Sequence, residues 1–454
     1  MSISRAQAEE SQVDRIREAF HYQSRFKGST MVFKIDFPVT EDPAFPYLVR
    51  DLALLARTGF RVVIVPGAKE WIDAVLREYG IRSKYAETTR ITTGAAMPFV
   101  EMAAFHVAAR FMTGLSADRV DAVTGNFVRA RGLGVVDGLD MEQTGRVDKV
   151  FIDSLGRVLN LGMVPILPCI GWSPAGRSYN VPSDEIALSV SAALGAVKLF
   201  IVSVHGGIRT GAYAIPDNVE TEETGRVIRL SPQEAELLLA ANTPGPNPAE
   251  TNPVGEDKAL TELDLALRAS RAGVERVHII DGREQGAILR ELFSNLGAGT
   301  MVHADEYESI RTLKNDDIPD VLRLMEPLMQ QGLLIRRGSE DIREKKNDYA
   351  VFEIDGSIHA CGALHNWGEA QGEIAAIATD PAYTDMGLGS RIVRFLLGEA
   401  KKQGLRRVFV LTTRTHDWFE FLGFKECSAE SLPEQRRRQY DSKRKSKVFA
   451  LDIR

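Results

Sequence analysis

A chain of 454 residues is too long for one ordinary hydrophobic core, so two or three domains are expected. Its 44% hydrophobic and 26% charged residues are those of a globular protein, and a formal net charge of −6 offers no electrostatic case for nucleic acid or a membrane surface. Cys169, Cys361 and Cys427 lie far apart with no CxxC pair, which argues against a zinc site and for a reducing compartment; no metal is expected. The N-terminus is charged from the outset with no apolar h-region, and no window approaches the roughly 18 uninterrupted apolar residues of a membrane span. The expected location is the cytoplasm.

Residues 8–26 space Val13, Ile16, Ala19 and Phe20 as a helix would, among Glu, Asp and Arg. Two readings are open: a terminal helix, or an arm that packs on another subunit. From Met31 the pattern becomes strand-like. MVFKIDF reads as a strand, 46–58 as a helix, 61–67 as a buried strand, 70–79 and 95–114 as helices, and 119–125 as a strand. PILPCIG (165–171) is strand-like, 183–195 helical, 198–204 a strand, 257–272 a helix, 276–281 a strand and 284–296 a helix. Buried apolar strands alternating with helices indicate an α/β domain with a mostly parallel sheet sandwiched by helices. The polar, Pro- and Gly-rich stretch 205–256 reads as a peripheral excursion.

The segment 302–310 is a plausible joint, after which the rhythm changes. Residues 310–332 give strand, turn and helix, and 349–367 a hairpin turning at Asp355-Gly356. A strand at 372–379, a helix at 387–402, a strand at 406–413, a short helix at 416–422 and a last strand at 446–453 follow. The expected division is an N-terminal arm at 1–30, a first domain at 31–302, a linker at 303–310 and a second α/β domain at 311–454.

The most informative stretch runs from the strand GEIAAIAT (372–379) through Asp385-Met386-Gly387-Leu388-Gly389 into a helix with Ile392, Val393, Leu396, Leu397 and Ala400 on its inner face. Glycines at a helix N-terminus let backbone N–H groups approach an anion such as a pyrophosphate, although a lone GxG serves equally as a tight strand-to-helix turn. The loop and the order of elements around it resemble the GNAT family of acetyltransferases over about 308–454, with Thr384 where that family usually has Arg or Gln. The resemblance implies a GNAT α/β acyltransferase fold with acetyl-CoA as co-substrate. It assigns acetyl-CoA to Ile377, Ala378 and Thr379 of the strand and to Asp385, Met386, Gly387, Leu388, Gly389 and Ser390 of the loop.

Within that family, GLLIRR (332–337), the strand 372–379, VLTTRTHDWFEFLGF (410–424) and Tyr440 with SKV (446–448) resemble the N-acetylglutamate synthases, in the expected order. The acyl acceptor would then be L-glutamate, whose two carboxylates call for cations with directional donors. Arg414 and Arg444, with Arg336 or Arg337, are the candidates, although arginines at strand ends are usually solvated. The amine must lose a proton before it attacks a thioester, and Glu373 is the candidate base, directly or through water; the alternative is an ordinary strand-end glutamate. The short helix DWFEFLGF lacks the tyrosine that many GNAT enzymes use as an acid, which leaves Tyr440 as the nearest substitute or a substrate contact. The basic run 436–447 reads as a solvated face near phosphates and carboxylates rather than a nucleic-acid patch.

Residues 31–301 resemble the amino-acid kinase family. The matching stretches are Val65-Pro66-Gly67-Ala68, Thr124-Gly125-Asn126-Phe127, Asn180 with Asp184, Lys198, RVHIIDGR (276–283) and GAGTMV (297–302). Active members open with Lys-x-Gly-Gly, whereas this chain has Lys34-Ile35-Asp36-Phe37; Asp36 would repel a γ-phosphate and Phe37 would fill its space. The position of the family's later phosphate-binding lysine holds Glu262. The domain is therefore expected to be regulatory and catalytically inactive. The resemblance implies L-arginine as effector around His278, Gly282, Gly297, Gly299 and Thr300, with Leu296 where relatives often carry an acid. It also implies homo-oligomers, hexamers in particular. Together the two resemblances predict transfer of acetyl from acetyl-CoA to L-glutamate at the head of arginine biosynthesis, with feedback inhibition by arginine. The alternatives are a GNAT enzyme for another amino acid, a residual N-acetylglutamate kinase, and a non-catalytic arginine-binding regulator.

Overall fold

The computed structural model describes residues 20, 23, 26–86, 88–216, 219, 221–222, 224–242, 257–293, 298–303, 308–354, 357–381, 383, 387–441 and 444–453. The chain forms two compact units, Met1–Asp305 and Glu306–Arg454.

In the first unit, strands and helices alternate as β1 (Thr30–Ile35), α1 (Phe45–Arg57), β2 (Arg61–Pro66), α2 (Lys69–Glu78) and α3 (Met97–Ala117). A second group follows: β3 (Val128–Gly132), β4 (Gly145–Val150), α4 (Ile152–Asn160), β5 (Ile170–Trp172), β6 (Ser178–Asn180) and α5 (Ser183–Leu194). The unit closes with β7 (Lys198–Ser203), β8 (Arg229–Leu230), α6 (Pro232–Asn242), α7 (Lys258–Arg271), β9 (Arg276–Asp281), α8 (Ala287–Phe293) and β10 (Gly299–His303). The main sheet has the order β8-β10-β9-β7-β1-β2 and is parallel except between β9 and β10. β1 and β7 are buried at every position, as a sheet covered on both faces demands. Met31, Phe33 and Ile35 pack towards α1 and α3, while Val32, Leu199 and Ile201 pack towards α5 and α7.

Two expected strands are cut short. Over 119–125 only Ala122–Val123 pairs, and in 165–171 the prolines at 165 and 168 split the run. Its second half, β5, joins a smaller sheet of order β6-β5-β3-β4. The excursion 205–256 contains β8 and α6; residues 243–256 lie outside the described residues. Of the proposed N-terminal helix, Phe20, Gln23 and Phe26 are described; Gln23 donates to the Thr58 carbonyl (3.1 Å) and Phe26 is buried in the core of its own unit.

The second unit comprises β11 (Glu308–Thr312), α9 (Ile318–Gln330), α10 (Ser339–Glu344), β12 (Tyr349–Ile354), β13 (Ser357–Asn366), β14 (Gln371–Thr379) and α11 (Leu388–Lys402). It ends with β15 (Arg407–Thr412), α12 (His416–Phe421), β16 (Lys425–Cys427), α13 (Glu434–Arg438) and β17 (Lys447–Asp452). Its sheet runs β11-β12-β13-β14-β15-β17-β16 and is antiparallel except between β14 and β15. α11 lays Ile392, Val393 and Leu396 on one face, and α9 covers the other through Met325 and Met329. β10 ends at His303 and β11 begins at Glu308, so strands occupy both ends of the linker expected at 303–310. The Asp355-Gly356 turn lies outside the described residues.

Candidate functional site

The second unit's sheet forks. β14 pairs with β15 only from Gln371 to Glu373, opposite Arg407 to Phe409, while its other edge stays paired with β13 up to Thr379. A bulge accompanies the parting: the β13–β14 register shifts between Cys361 and Ala363, and Ala376 adopts φ +55°. Beyond Glu373, then, β14 turns towards β15 an edge that has no strand partner among the described residues. Backbone groups on such an edge need partners, and an extended amide chain laid into the fork supplies them. Ile377, Ala378 and Thr379 all lie on this stretch.

α11 starts at the mouth of the fork. Gly387 is left-handed (φ +63°), and a Cβ on Gly389 would stand 3.2 Å from Cζ2 of Trp418 and 3.6 Å from Cγ2 of Thr379. Glycine at 389 thus lets the helix's first turn close against β14 and α12 together. Ser390 is half-buried, whereas the Leu388 side chain belongs to the core, so Leu388 has only its backbone to offer a ligand. Asp385 and Met386 lie outside the described residues.

On the α9 side of the sheet, the structure assembles a polar cluster that sequence reasoning saw only in part. Glu373 is buried, and Arg436 clamps it with Nε at 2.7 Å from Oε2 and Nη2 at 3.0 Å from Oε1. Trp367 Nε1 donates to the same Oε2 at 2.9 Å. Oε2 accepts two hydrogen bonds and Oε1 one, so Oε1 keeps a lone pair with which to accept a further proton or water. The basic run 436–447 reads in sequence as a solvated face, but the Arg436 side chain is 8% exposed. The signal for it was indirect: a carboxylate in an apolar strand needs a cation.

The predicted arginines separate by role. Arg337 buries Nη1 with no hydrogen-bond partner among the described residues, an arrangement that invites an anionic ligand. Arg336 and Arg414 are exposed. Arg444 donates from Nη2 to the carbonyls of Gly332 (3.0 Å) and Leu333 (3.1 Å), and so ties the segment after α13 to the loop that carries Arg336 and Arg337. Tyr440 donates its hydroxyl proton to the Ser446 carbonyl at 2.7 Å, which makes it a brace of that segment. His365 and Asp348 lie on this side too and were missed.

In the first unit, His278 is buried, with Nδ1 2.6 Å from Glu291 and Nε2 3.4 Å from Lys198 Nζ. Burial and the adjacent Lys198 push its pKa down to about 4, against the pull of Glu291. A neutral ring donating from Nδ1 and accepting at Nε2 satisfies both neighbours. Burial alone would raise the Glu291 carboxyl, but hydrogen bonds from His278 and from the backbone N–H of Ala298 hold it below its usual range. Glu291 is thus a buried acid next to His278, while Leu296 and Gly297 lie outside the described residues. Gly282 and Gly299 serve packing: a Cβ on Gly299 would overlap the Ile279 carbonyl oxygen, and one on Gly282 would meet Val39 and Val202. Thr300 donates to the Val227 carbonyl (2.7 Å) and accepts from the Ile208 N–H (2.9 Å).

Around Lys34, charged side chains of the first unit close on one another. Lys34 Nζ is 2.6 Å from Asp36 and 2.9 Å from Asp184, and Lys258 reaches Asp36 and Glu70, both at 3.1 Å. Glu262 accepts from Ser203 Oγ at 3.0 Å, and its other oxygen is buried without a hydrogen-bond partner among the described residues.

The comparisons agree with this division. Residues 38–281 match the amino acid kinase family and 316–424 the acetyltransferase (GNAT) family. An amino-acid acetyltransferase of Pasteurella multocida is 32% identical over 439 residues, covering 95% of this chain and 96% of that protein. One from Pseudomonas fluorescens (strain SBW25) is 33% identical over 449 residues, covering 96% and 98%. Among solved structures, N-acetylglutamate synthase from Neisseria gonorrhoeae complexed with coenzyme A and L-arginine superposes with a TM-score of 0.82 at 30% identity, covering 97% of this chain and 99% of that one. The same enzyme complexed with coenzyme A and N-acetyl-glutamate gives 0.58 at 32% identity over the same shares.

A forked sheet with a glycine turn at its mouth, carried behind an amino-acid-kinase fold, defines an acyltransferase enzyme of mixed α/β build. The chain belongs to the amino-acid acetyltransferase family.

Proposed function

We infer that this enzyme is an N-acetylglutamate synthase, transferring the acetyl group of acetyl-CoA to the α-amino group of L-glutamate. The observation that carries the reading is the open edge of β14 in a sheet flanked by arginines: Arg337, whose buried Nη1 has no hydrogen-bond partner among the described residues, Arg436 paired with Glu373, and Arg444 fixing the loop that carries Arg337. The amides around Ile377 and Ala378 take the pantetheine arm and polarise the acetyl carbonyl, and the first turn of α11 takes the pyrophosphate. Arg337 and Arg414 serve the glutamate carboxylates, and Arg444 positions the loop that carries Arg337. Glu373 receives the ammonium proton.

The amino-acid-kinase unit acts as the sensor. L-arginine binds beside His278 and Glu291, whose buried negative charge matches a guanidinium or ammonium, and lowers the rate. No phosphoryl transfer is assigned to it, because Lys34, Asp36, Asp184 and Lys258 neutralise one another where phosphate would lie. We place the enzyme in the cytoplasm as a homo-oligomer, with a hexamer as the expected assembly, and without nucleic-acid or membrane partners. Two residues of the basic run, Arg436 and Arg444, are spent on internal contacts, and among the described residues no helix is long and apolar enough to cross a membrane.

The test is CoA-thiol release from acetyl-CoA with L-glutamate against a panel of amino acids, with and without arginine. Glutamate-dependent release that fails in Arg414→Ala and falls with arginine supports the reading; release that prefers aspartate, or needs ATP, overturns it.

A further inference from the structure

Glu373 closes the paired part of the fork: it is the last residue of β14 that pairs with β15, opposite Phe409. A buried carboxylate in that place takes up a proton only through an oxygen that still has a lone pair to offer. Its two oxygens are held unequally. Oε2 accepts from Trp367 Nε1 at 2.9 Å and from Arg436 Nε at 2.7 Å, whereas Oε1 has one donor among the described residues, Arg436 Nη2 at 3.0 Å. Without the indole N–H each oxygen would have one guanidinium nitrogen and nothing would tell them apart. Trp367 makes the difference.

The fold commits Trp367 to this task. It follows the end of β13, in the turn to β14, where its own backbone N–H donates to the Gln371 carbonyl (3.1 Å) and the Gln371 N–H returns to the Gly368 carbonyl (2.8 Å). Gly368, Glu369 and Ala370 all take left-handed backbone, at φ +80°, +52° and +56°. Two successive non-glycine residues in that region are uncommon, and such strain gathers at functional sites. The indole packs with Phe409 and Leu432 and carries the Arg436 guanidinium over its face, 5.5 Å from the ring centroid. Turn, packing and cation together fix the direction of the N–H.

We propose that Trp367 is a positioning residue for the proton acceptor Glu373: its indole N–H fills Oε2 and so presents Oε1 to the substrate ammonium, directly or through water. The proposal rests on the synthase reading above. The ammonium nitrogen gives one proton to Oε1, and the lone pair so freed attacks the acetyl carbonyl carbon to form the C–N bond. The carbonyl re-forms as the C–S bond breaks, the nitrogen's surplus proton passes to the CoA thiolate, and Oε1 returns its proton to solvent. The charged and titratable groups around the carboxylate are Arg436 from α13 and His365 of β13, its cross-strand partner, whose Nδ1 lies 2.7 Å from Asp348. Tyr440, packed in the same apolar cluster as Trp367, gives its hydroxyl proton to the Ser446 carbonyl.

The experiment is the pH dependence of kcat and kcat/KM for glutamate-dependent thiol release. It compares wild-type enzyme with Trp367→Phe, Trp367→His, Glu373→Gln and the double variant Trp367→Phe/Glu373→Gln, with acetyl-CoA affinity by calorimetry as a check on the fold. Trp367→Phe keeps a ring beneath Arg436 and removes the N–H. It should lower kcat about tenfold, with the KM for glutamate held within about twofold. A carboxylate that loses a donor holds its proton more tightly, so the acidic limb should move up by about one pH unit. Trp367→His restores a ring N–H and should recover part of the lost rate. In the Glu373→Gln background Trp367→Phe should cost nothing further, because the indole acts through the carboxylate. An unchanged kcat and limb in Trp367→Phe, or the same loss again in the Glu373→Gln background, overturns the proposal and leaves the synthase reading standing. Should Trp367→Phe lose acetyl-CoA affinity, Trp367→His decides, and a rate no higher than that of Trp367→Phe counts against the proposal. A wild-type enzyme with no glutamate-dependent release sinks both readings.

Discussion

Lys34→Met tests whether the closed charge cluster of the first unit is a structural element. Lys34 is 5% exposed and lies 2.6 Å from Asp36, itself 9% exposed, and 2.9 Å from Asp184, which is about one-third exposed. Breaking a buried ion pair by removing one partner costs about 3–5 kcal/mol, because the other charge is stranded. Here the low end applies: Lys258 still holds one oxygen of Asp36 at 3.1 Å, and Asp184 can turn to water. A loss of about 3 kcal/mol corresponds to roughly 6 °C in a domain of this size, at about 2 °C per kcal/mol. Burial alone would lower the Lys34 pKa, but Asp184, Asp36 and Glu262 raise it well above its ordinary value; burial alone would raise Asp36, but Lys34 and Lys258 lower it. A raised lysine stabilises fully below its unfolded pKa and a lowered carboxyl fully above its own, so at pH 8 both contributions are intact. Calorimetry of the full chain at pH 8 should show the transition of the first unit moving down by that amount and the other unchanged. Lys34→Met/Asp36→Asn should recover much of the loss. A shift under about 1 °C for the single variant would refute the energetic reasoning, since it would mean Asp36 tolerates burial without Lys34.

Glu262 gives the same cluster an opposite pH response. Burial, opposed by Lys34 but aided by Asp36, raises its pKa from 4.5 to about 7, so between those values the folded chain holds a proton that the unfolded chain has lost. Its contribution falls as pH rises through that window, and Glu262→Gln should flatten the stability profile there and gain up to about 3 kcal/mol at pH 8 by denaturant titration. Gly299→Ala places a methyl group on the Ile279 carbonyl between antiparallel β9 and β10, and should cost more than about 4 kcal/mol or abolish folding, as seen in expression and melting. Gly389→Val crowds Trp418 at the mouth of the fork; the KM for acetyl-CoA should rise at least about tenfold with little change in melting, since the site is half-buried. Arg444→Ala frees the loop at Gly332 and Leu333, so the KM for glutamate should rise by a similar factor while acetyl-CoA affinity holds.

What could be read in advance followed from local periodicity. β1, β7 and β14 announce themselves as short apolar runs, and α11 as a stripe of Ile392, Val393 and Leu396 behind a glycine turn. The small sheet β6-β5-β3-β4 did not, because its strands are short, three of them contain glycine, and β3 and β4 carry charged residues; prolines 165 and 168 redirected one of them. The site was legible where chemistry is local, at Gly387 and Gly389, and illegible where it depends on a distant partner. Arg436 lies 63 residues from Glu373 in the chain, within a basic stretch whose composition alone means a solvated face. His365 sits in an alternating strand as one more polar position, and only the register of β13 on β14 sets it opposite Glu373. Glu291 belongs to the helix α8, which delivers it from upstream of the Gly-x-Gly-Thr run onto His278. The pairings of Arg436 and Glu291 have one physical origin. A buried charge in an apolar strand or beneath a helix must be matched, and its match lies wherever the fold brings a counter-charge within about 3 Å, however solvated that residue's neighbours in sequence are. Glu373, once buried in GEIAAIAT, therefore requires a cation, and the fold singles out Arg436 among the neighbouring arginines 437, 438 and 444.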